Sequence, residues 1–330
     1  MRLRLGGLLL ITAGAGCQPT VAPTPQPPGV AADVAHLASL ELGGRPTGTA
    51  ESDSAAAYIA RQYERLGLTG AFRTACNAVG ECRASYFQFF RVNGLSAQNI
   101  AVVIPGTDSS RQGQYVVVGA HYDHLGRAPM ETPSARIGLA PLNARNPDAG
   151  RIRPGADDNA SGTAALLELA RRLTAHPTWL SVLLVHFDAE ELGMVGSGVF
   201  VEHLPVPRQS IVLMINLDMV GRLRDRTLTV DTSAANAAVG ALVDTAAAAA
   251  GLHTIYLSET AGRSDHASFG RFLIPAVSLF TGFHPDYHRA SDVAERINVR
   301  GIELVVDVTE AIVRAVANKS AGVADGHRDE

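Results

Sequence analysis

The chain has 330 residues, with hydrophobic residues at 46%, charged residues at 18% and a formal net charge of −4. That is enough chain for one large α/β domain with a sizeable core, and a near-balanced charge without a basic cluster argues against nucleic acid as a partner.

Arg2 and Arg4 precede an apolar run from Leu5 to Gly16 that is too short to span a bilayer, so residues 1–17 read as an export signal. Cys17 follows Gly14-Ala15-Gly16, which resembles a bacterial lipoprotein processing site. Gly14 stands where an aliphatic residue is usual, and simple cleavage nearby would leave Cys17 without a lipid. Residues 18–29 are rich in proline and polar residues and read as a semi-rigid tether. The expected location is outside the cytoplasm: periplasmic, lipid-anchored to a membrane, or secreted. With Cys17 set aside, Cys76 and Cys82 form an even pair, and an oxidising compartment favours a disulfide between them worth roughly 2 kcal/mol.

A helix is predicted over Val30 to Leu42 and another over Ser52 to Leu66, which Gly67 should stop. Phe87 to Val92 and Asn99 to Ile104 are predicted as a hairpin or edge pair, and Tyr115 to Ala120 as a buried central strand. Between Arg127 and Arg153, prolines and glycines without periodicity predict a long loop, either a pocket wall or a solvated excursion. Helices follow over Ser161 to Ala175, Leu192 to His203, Ala234 to Ala250 and Asn298 to Ala317. Strands are predicted over Trp179 to Phe187, Ile211 to Leu217, Thr227 to Asp231 and Ala276 to Phe280. No repeat or second-domain signature appears, so residues 30–319 form one domain and 320–330 a polar tail.

Five potential metal ligands, His121, Asp157, Glu191, Asp218 and His288, run along this pattern, and four of them end or follow a predicted strand. Parallel strands alternating with helices bring their carboxyl ends to one edge of a sheet, where residues distant in sequence converge. Two imidazoles and three carboxylates suit a pair of divalent metals, zinc by preference. Two zinc ions carry four positive charges, three carboxylates remove three, and a bridging hydroxide removes the last. Glu190 is then left beside the metals, free to take a proton. Read singly, these residues have plainer roles: Asp157 as a helix cap or turn residue, Glu190-Glu191 as an acidic first turn, His288 as a loop histidine.

Together the segments His121-Tyr122-Asp123, Gly155-Ala156-Asp157-Asp158-Asn159-Ala160-Ser161-Gly162, Glu190-Glu191-Leu192-Gly193, Asn216-Leu217-Asp218-Met219-Val220-Gly221 and Tyr287-His288 resemble the bi-zinc exopeptidases. That group includes bacterial leucyl aminopeptidase, glutamate carboxypeptidase II and glutaminyl cyclase. The resemblance implies a three-layer αβα sandwich with a mostly parallel mixed central sheet, two zinc ions per chain and peptide substrates. It makes Asp157 the bridging ligand, with His121 and Asp218 completing one site and Glu191 and His288 the other. Glu190 becomes the general base, and Asp123 the partner that holds the His121 ring. A cis peptide bond is expected between Asp157 and Asp158.

Ser264-Asp265-His266 resembles a segment lining the substrate side of such sites, while His124 matches no ligand and is expected outside the metal shell. Asn159-Ala160-Ser161 matches a glycosylation sequon, which its place in the metal loop makes a chance match. The function expected is an aminopeptidase. Arg263, Arg271 and Arg289 keep a carboxypeptidase open, since a cation would be needed for a substrate carboxylate. A glutaminyl cyclase and a non-catalytic binding domain on the same fold stay open as well, and oligomeric state is not legible.

Overall fold

The computed structural model describes residues 29–73, 83–111, 113–130, 146–234, 237–257 and 264–318. The export signal, nearly all of the tether, the Cys76–Cys82 pair, Arg263, the polar tail and the middle of the 127–153 segment lie outside the described residues.

In chain order the elements are helix α1 (Val30–Leu37), α2 (Ala50–Arg65), strands β1 (Phe72–Arg73), β2 (Ala84–Ser85), β3 (Phe87–Val92), β4 (Leu95–Ile104) and β5 (Tyr115–His121). Then come α3 (Gly162–Ala175), β6 (Ser181–Phe187), α4 (Val195–Glu202), β7 (Ile211–Leu217), β8 (Thr227–Ala234) and α5 (Ala237–Ala249). The last elements are β9 (His253–Tyr256), α6 (His266–Gly270), β10 (Ala276–Phe280) and α7 (Val299–Ala317).

Eight strands form one mixed sheet in the order β3-β4-β6-β5-β7-β10-β8-β9. Its centre, β6-β5-β7-β10, is parallel throughout, and antiparallel pairings occur only outside it. The central strands are buried on both faces, which is why they read as unbroken apolar runs. Val116, Val118, Val182 and Leu184 point to one layer of core, while Val117, Leu183 and Val185 point to the other. Helices α1, α2, α3, α5 and α7 pack on the first face, and Phe200 of α4 with Phe269 of α6 on the second. This is the expected three-layer sandwich.

Strand β6 lies on one side of β5 and β7 on the other, so the chain changes direction across the sheet at β5. A crevice opens at such a switch point, beyond the carboxyl ends of the strands. His121 is the last residue of β5 and stands in it.

Several boundaries differ from expectation for identifiable reasons. Helix α1 stops at Leu37 rather than Leu42 because the Arg45 guanidinium takes the Leu37 carbonyl, and a short turn over Leu40–Leu42 follows. Helix α4 begins at Val195 because Met194 is left-handed (φ 59°) and the amides of Gly193 and Met194 both close onto the Glu190 carbonyl. Glu190 and Glu191 therefore sit in a turn before the helix. Strand β9 has no counterpart among the predicted elements: it is a short, mostly solvent-facing edge strand without an apolar run.

Arg45 is fully buried and donates to the carbonyls of Leu37, Tyr122, Pro154 and Gly155, at 2.7, 2.7 and 2.9 Å for the last three. It joins the end of α1 to the two loops that leave the sheet edge at β5 and enter α3. Arg45→Met keeps the bulk but orphans buried carbonyls, each worth about 1–3 kcal/mol. The expected result is a loss of at least about 3 kcal/mol in urea unfolding, and an unchanged midpoint would contradict this role.

Candidate metal centre

Four segments at the sheet edge converge around one carboxylate. His121 Nε2 lies 3.3 Å from Asp158 Oδ1 and 3.4 Å from Asp218 Oδ1, and Asp218 directly follows β7. The other oxygen of Asp158, Oδ2, lies 3.1 Å from His288 Nε2, which is itself 3.5 Å from Glu191 Oε2. Donor atoms around one tetrahedral zinc, each about 2.0 Å from it, are about 3.3 Å apart. Both groupings match that spacing, with one Asp158 oxygen in each.

The central residue is thus Asp158, one position beyond the expected Asp157. Asp157 is also fully buried, but its Oδ1 accepts from the Gly221 amide at 2.6 Å and from Ser161 Oγ at 3.1 Å, and its Oδ2 is 3.1 Å from His284 Nε2. Its carboxylate serves the scaffold and is turned away from the cluster. The cis peptide bond likewise falls at Asp158–Asn159 and not at Asp157–Asp158. Adjacent aspartates look alike in sequence, and only the kinked backbone over 156–161 decides which one faces the crevice.

That backbone is held from several directions. The Asp292 carboxylate accepts from the amides of Asp157 (2.9 Å) and Asp158 (3.2 Å), and Arg222 pairs with it at 2.9 Å. Asn159 donates to the Leu217 carbonyl at 2.9 Å and accepts from the amides of Gly162 and Met219 at 2.9 and 3.1 Å. It therefore staples the Asp158 loop to the end of β7, beside Asp218. Its amide is fully buried, so the sequon there is a chance match. Ala189, Met194, Met219 and His288 all adopt positive φ beside the cluster. Such conformations cost about 1–2 kcal/mol each and persist because their surroundings enforce them.

Asp123 meets the His121 ring through its backbone. The His121 ring nitrogen Nδ1 meets the Asp123 backbone carbonyl at 3.2 Å, whereas the nearer carboxylate oxygen is 3.6 Å away. The carboxylate instead accepts from the amides of Glu190 (3.0 Å) and Glu191 (3.3 Å) and from Thr47 (3.2 Å). One residue thus orients the His121 ring through its backbone and the Glu190-Glu191 turn through its side chain. Asp188 supports the same turn, accepting from Thr47, the Gln98 amide and Tyr122, and burial pushes it up to about 6.

The electrostatics call for a cation. Two carboxylates about 4 Å apart repel by about 4 kcal/mol at an effective dielectric of 20, and here Asp158, Glu190, Glu191 and Asp218 crowd together. Burial pushes Glu191 up to about 9, with Asp158 adding to it. Burial also drives Glu190 well above the carboxylate range, helped by Asp265, Asp218 and Glu191 and opposed by His121. Glu191 Oε1 and both His124 nitrogens are buried without a hydrogen-bond partner among the described residues. Oxygen and imidazole donors without sulfur suit zinc, so the residues present fit that metal.

Beside the cluster opens a cavity of about 700 Å³. Its walls include Met194, Met219, Ile255, Leu257, Phe280 and Phe283, and most of the remaining lining residues are polar. Ser264 and His266 are part of that lining, with His266 Nε2 3.2 Å from Asp231, and burial pushes Asp265 between them up to about 7. No lysine or arginine lines the cavity among the described residues. Arg289 is engaged by Asp148 at 2.6 Å, and Arg271 is exposed.

Gly155 has φ +60°, and a Cβ there would stand 2.2 Å from the Asp158 carbonyl oxygen and 2.6 Å from the His124 ring. Gly155→Ala should displace Asp158 and lower zinc affinity roughly tenfold or more, with a lower melting temperature. Unchanged zinc binding by calorimetry would contradict the placement.

A family model described as "Peptidase family M28" matches residues 99–313. Aminopeptidase YwaD of Bacillus subtilis is 32% identical over 207 residues, covering 56% of this chain and 45% of that protein. The chain spans about half the length of the curated relatives it matches. Among solved structures, the zinc aminopeptidase BSAP from Bacillus subtilis superposes with a TM-score of 0.66 at 19% identity, covering 88% of this chain and 95% of that one. A glutaminyl cyclase from Bacteroides thetaiotaomicron gives 0.63 at 20% identity, covering 87% and 96%. These structural likenesses establish the fold, which carries more than one chemistry.

Proposed function

The chain belongs to Peptidase family M28, and from that premise we propose that it is an aminopeptidase that holds two zinc ions and releases residues from the N-terminus of peptides. One observation carries the reading: the metal cluster borders a cavity lined by carboxylates and apolar side chains, with no lysine or arginine in the lining among the described residues. A free N-terminal ammonium finds acidic partners there, whereas a C-terminal carboxylate meets no lysine or arginine among the described residues. This favours an aminopeptidase over a carboxypeptidase.

His121, Asp158 and Asp218 would hold one zinc, and Asp158, Glu191 and His288 the other. Bound there, zinc supplies Lewis acidity for the scissile carbonyl and acidifies a water. Glu190 lines the same cavity, where a carboxylate outside the two ligand sets can accept a proton and then give it up. Its carboxylate takes a proton from the attacking water and returns it to the departing amine nitrogen. Asp123 keeps Glu190 in reach by holding its amide. The cavity receives the first side chain of the peptide and excludes bulk water from it.

Residues 1–17 would direct export, Cys17 would carry a lipid, and residues 18–29 would tether the enzyme outside the cytoplasm. The basic, apolar and small-residue pattern of the leader supports this part of the proposal.

Incubating the zinc-loaded protein with mixed unblocked peptides, one beginning with glutamine, and following products by mass spectrometry tests the reading. Stepwise N-terminal loss that a chelator abolishes is the expected result. Loss from the C-terminus, or loss of ammonia from the glutamine peptide alone, would overturn it. Glu190→Gln should retain both zinc ions but lower kcat by about 10²–10⁴-fold, and full turnover would remove Glu190 from the role of base.

A further inference from the structure

His124 stands apart from the five residues that would hold the two zinc ions. It is 2% exposed, and its Nδ1 lies 2.7 Å from Glu191 Oε1 and 3.7 Å from Asp158 Oδ2. Those two carboxylates are the ones that, with His288, would hold the second zinc. The His124 and His288 rings meet edge to face with centroids 5.7 Å apart, so both imidazoles border the same volume.

The 2.7 Å approach lacks the direction of a hydrogen bond. Neither ring nitrogen of His124 has a hydrogen-bond partner among the described residues, and Glu191 Oε1 is equally unsatisfied. A buried nitrogen and a buried oxygen that face each other with no hydrogen directed between them can take a cation on moving apart to the spacing of about 3.3 Å that zinc donors keep. His124, Asp158 and Glu191 also form a group whose donor atoms all lie within 4.8 Å of one another. The imidazole is held in place by its own backbone, whose amide donates to the Arg45 carbonyl at 3.1 Å, and by Gly155, which leaves room for the ring.

Resting on the dinuclear reading, we propose that His124 is a fourth protein ligand of the zinc held by Asp158, Glu191 and His288, which makes the two sites unequal. That site is then closed by four protein donors, as structural zinc sites are, and retains its ion tightly. The site of His121, Asp158 and Asp218 has three protein donors and keeps a position open toward the cavity, as catalytic sites do. Water and substrate would enter at the open site, and zinc would exchange there first.

The test uses the mature protein stripped of metal and reloaded with zinc against a competing chelator. The wild type should take up two ions, the first at least tenfold more tightly than the second. At one equivalent, X-ray absorption at the zinc edge should report two imidazoles on that ion. His124→Ala should weaken the tight ion by more than a hundredfold, beyond the 10–100-fold typical of residues that merely support a ligand, and leave one imidazole. His124→Asn, which offers Glu191 a hydrogen-bond donor, should not restore the affinity, and circular dichroism on both variants monitors folding. A single imidazole on the first ion of the wild type would overturn the proposal. So would an affinity loss under a hundredfold in His124→Ala, or recovery in His124→Asn. Failure of the wild type to take up two ions would instead overturn the dinuclear reading itself.

Discussion

Burying several carboxylates in one crevice is the constraint around which this molecule is organised. Asp158 turns one oxygen to His121, at 3.3 Å, and the other to His288, at 3.1 Å, and Asp218 and Glu191 stand beside those two imidazoles. Negative charge concentrated in this way is unfavourable unless a cation joins it. Much of the surrounding polar structure holds the carboxylates in place for that cation. Asp292 grips the amides of the Asp158 loop, Asn159 ties the loop to β7, and Arg45 gathers the carbonyls on its other side.

The sheet and the loops divide the work. Parallel strands β6, β5, β7 and β10 fix the positions from which the ligand segments depart, because their cores are buried on both faces and their register is locked. The loops then set direction, using conformations that an open chain avoids: left-handed residues at Ala189, Met219 and His288, and a kink at 156–161. Placing irregular backbone on a rigid edge lets it be strained without loosening the core.

Asp123 links the metal side of the site to its acid–base side. Its backbone carbonyl meets the His121 ring, and its carboxylate holds the amides of Glu190 and Glu191. Movement of the ring and movement of the turn are therefore coupled through one buried residue. The apolar cavity walls lie just beyond Glu190, so a proton on that carboxylate is shielded from bulk water where a substrate would bind.

The amino-acid sequence by itself determined the framework and the chemistry available to it. Apolar runs in β5, β6, β7 and β10 marked strands, with β5 buried at the centre, and Gly67 marked the end of α2. Their order alone placed His121, Glu191, Asp218 and His288 at one sheet edge. These features are legible because they depend on local composition and periodicity. Tertiary structure alone decided between Asp157 and Asp158, since adjacent residues of one type differ only in where a kinked backbone points them. It also decided that Arg45 would be buried, that α1 would end at Leu37, and that His124 would face Glu191 rather than solvent. Each of those outcomes is set by groups 8 to 110 residues away in the chain, such as the Leu37 and Gly155 carbonyls that meet Arg45. Local sequence carries no record of such partners, because the interactions exist only once the sheet has brought its edges together.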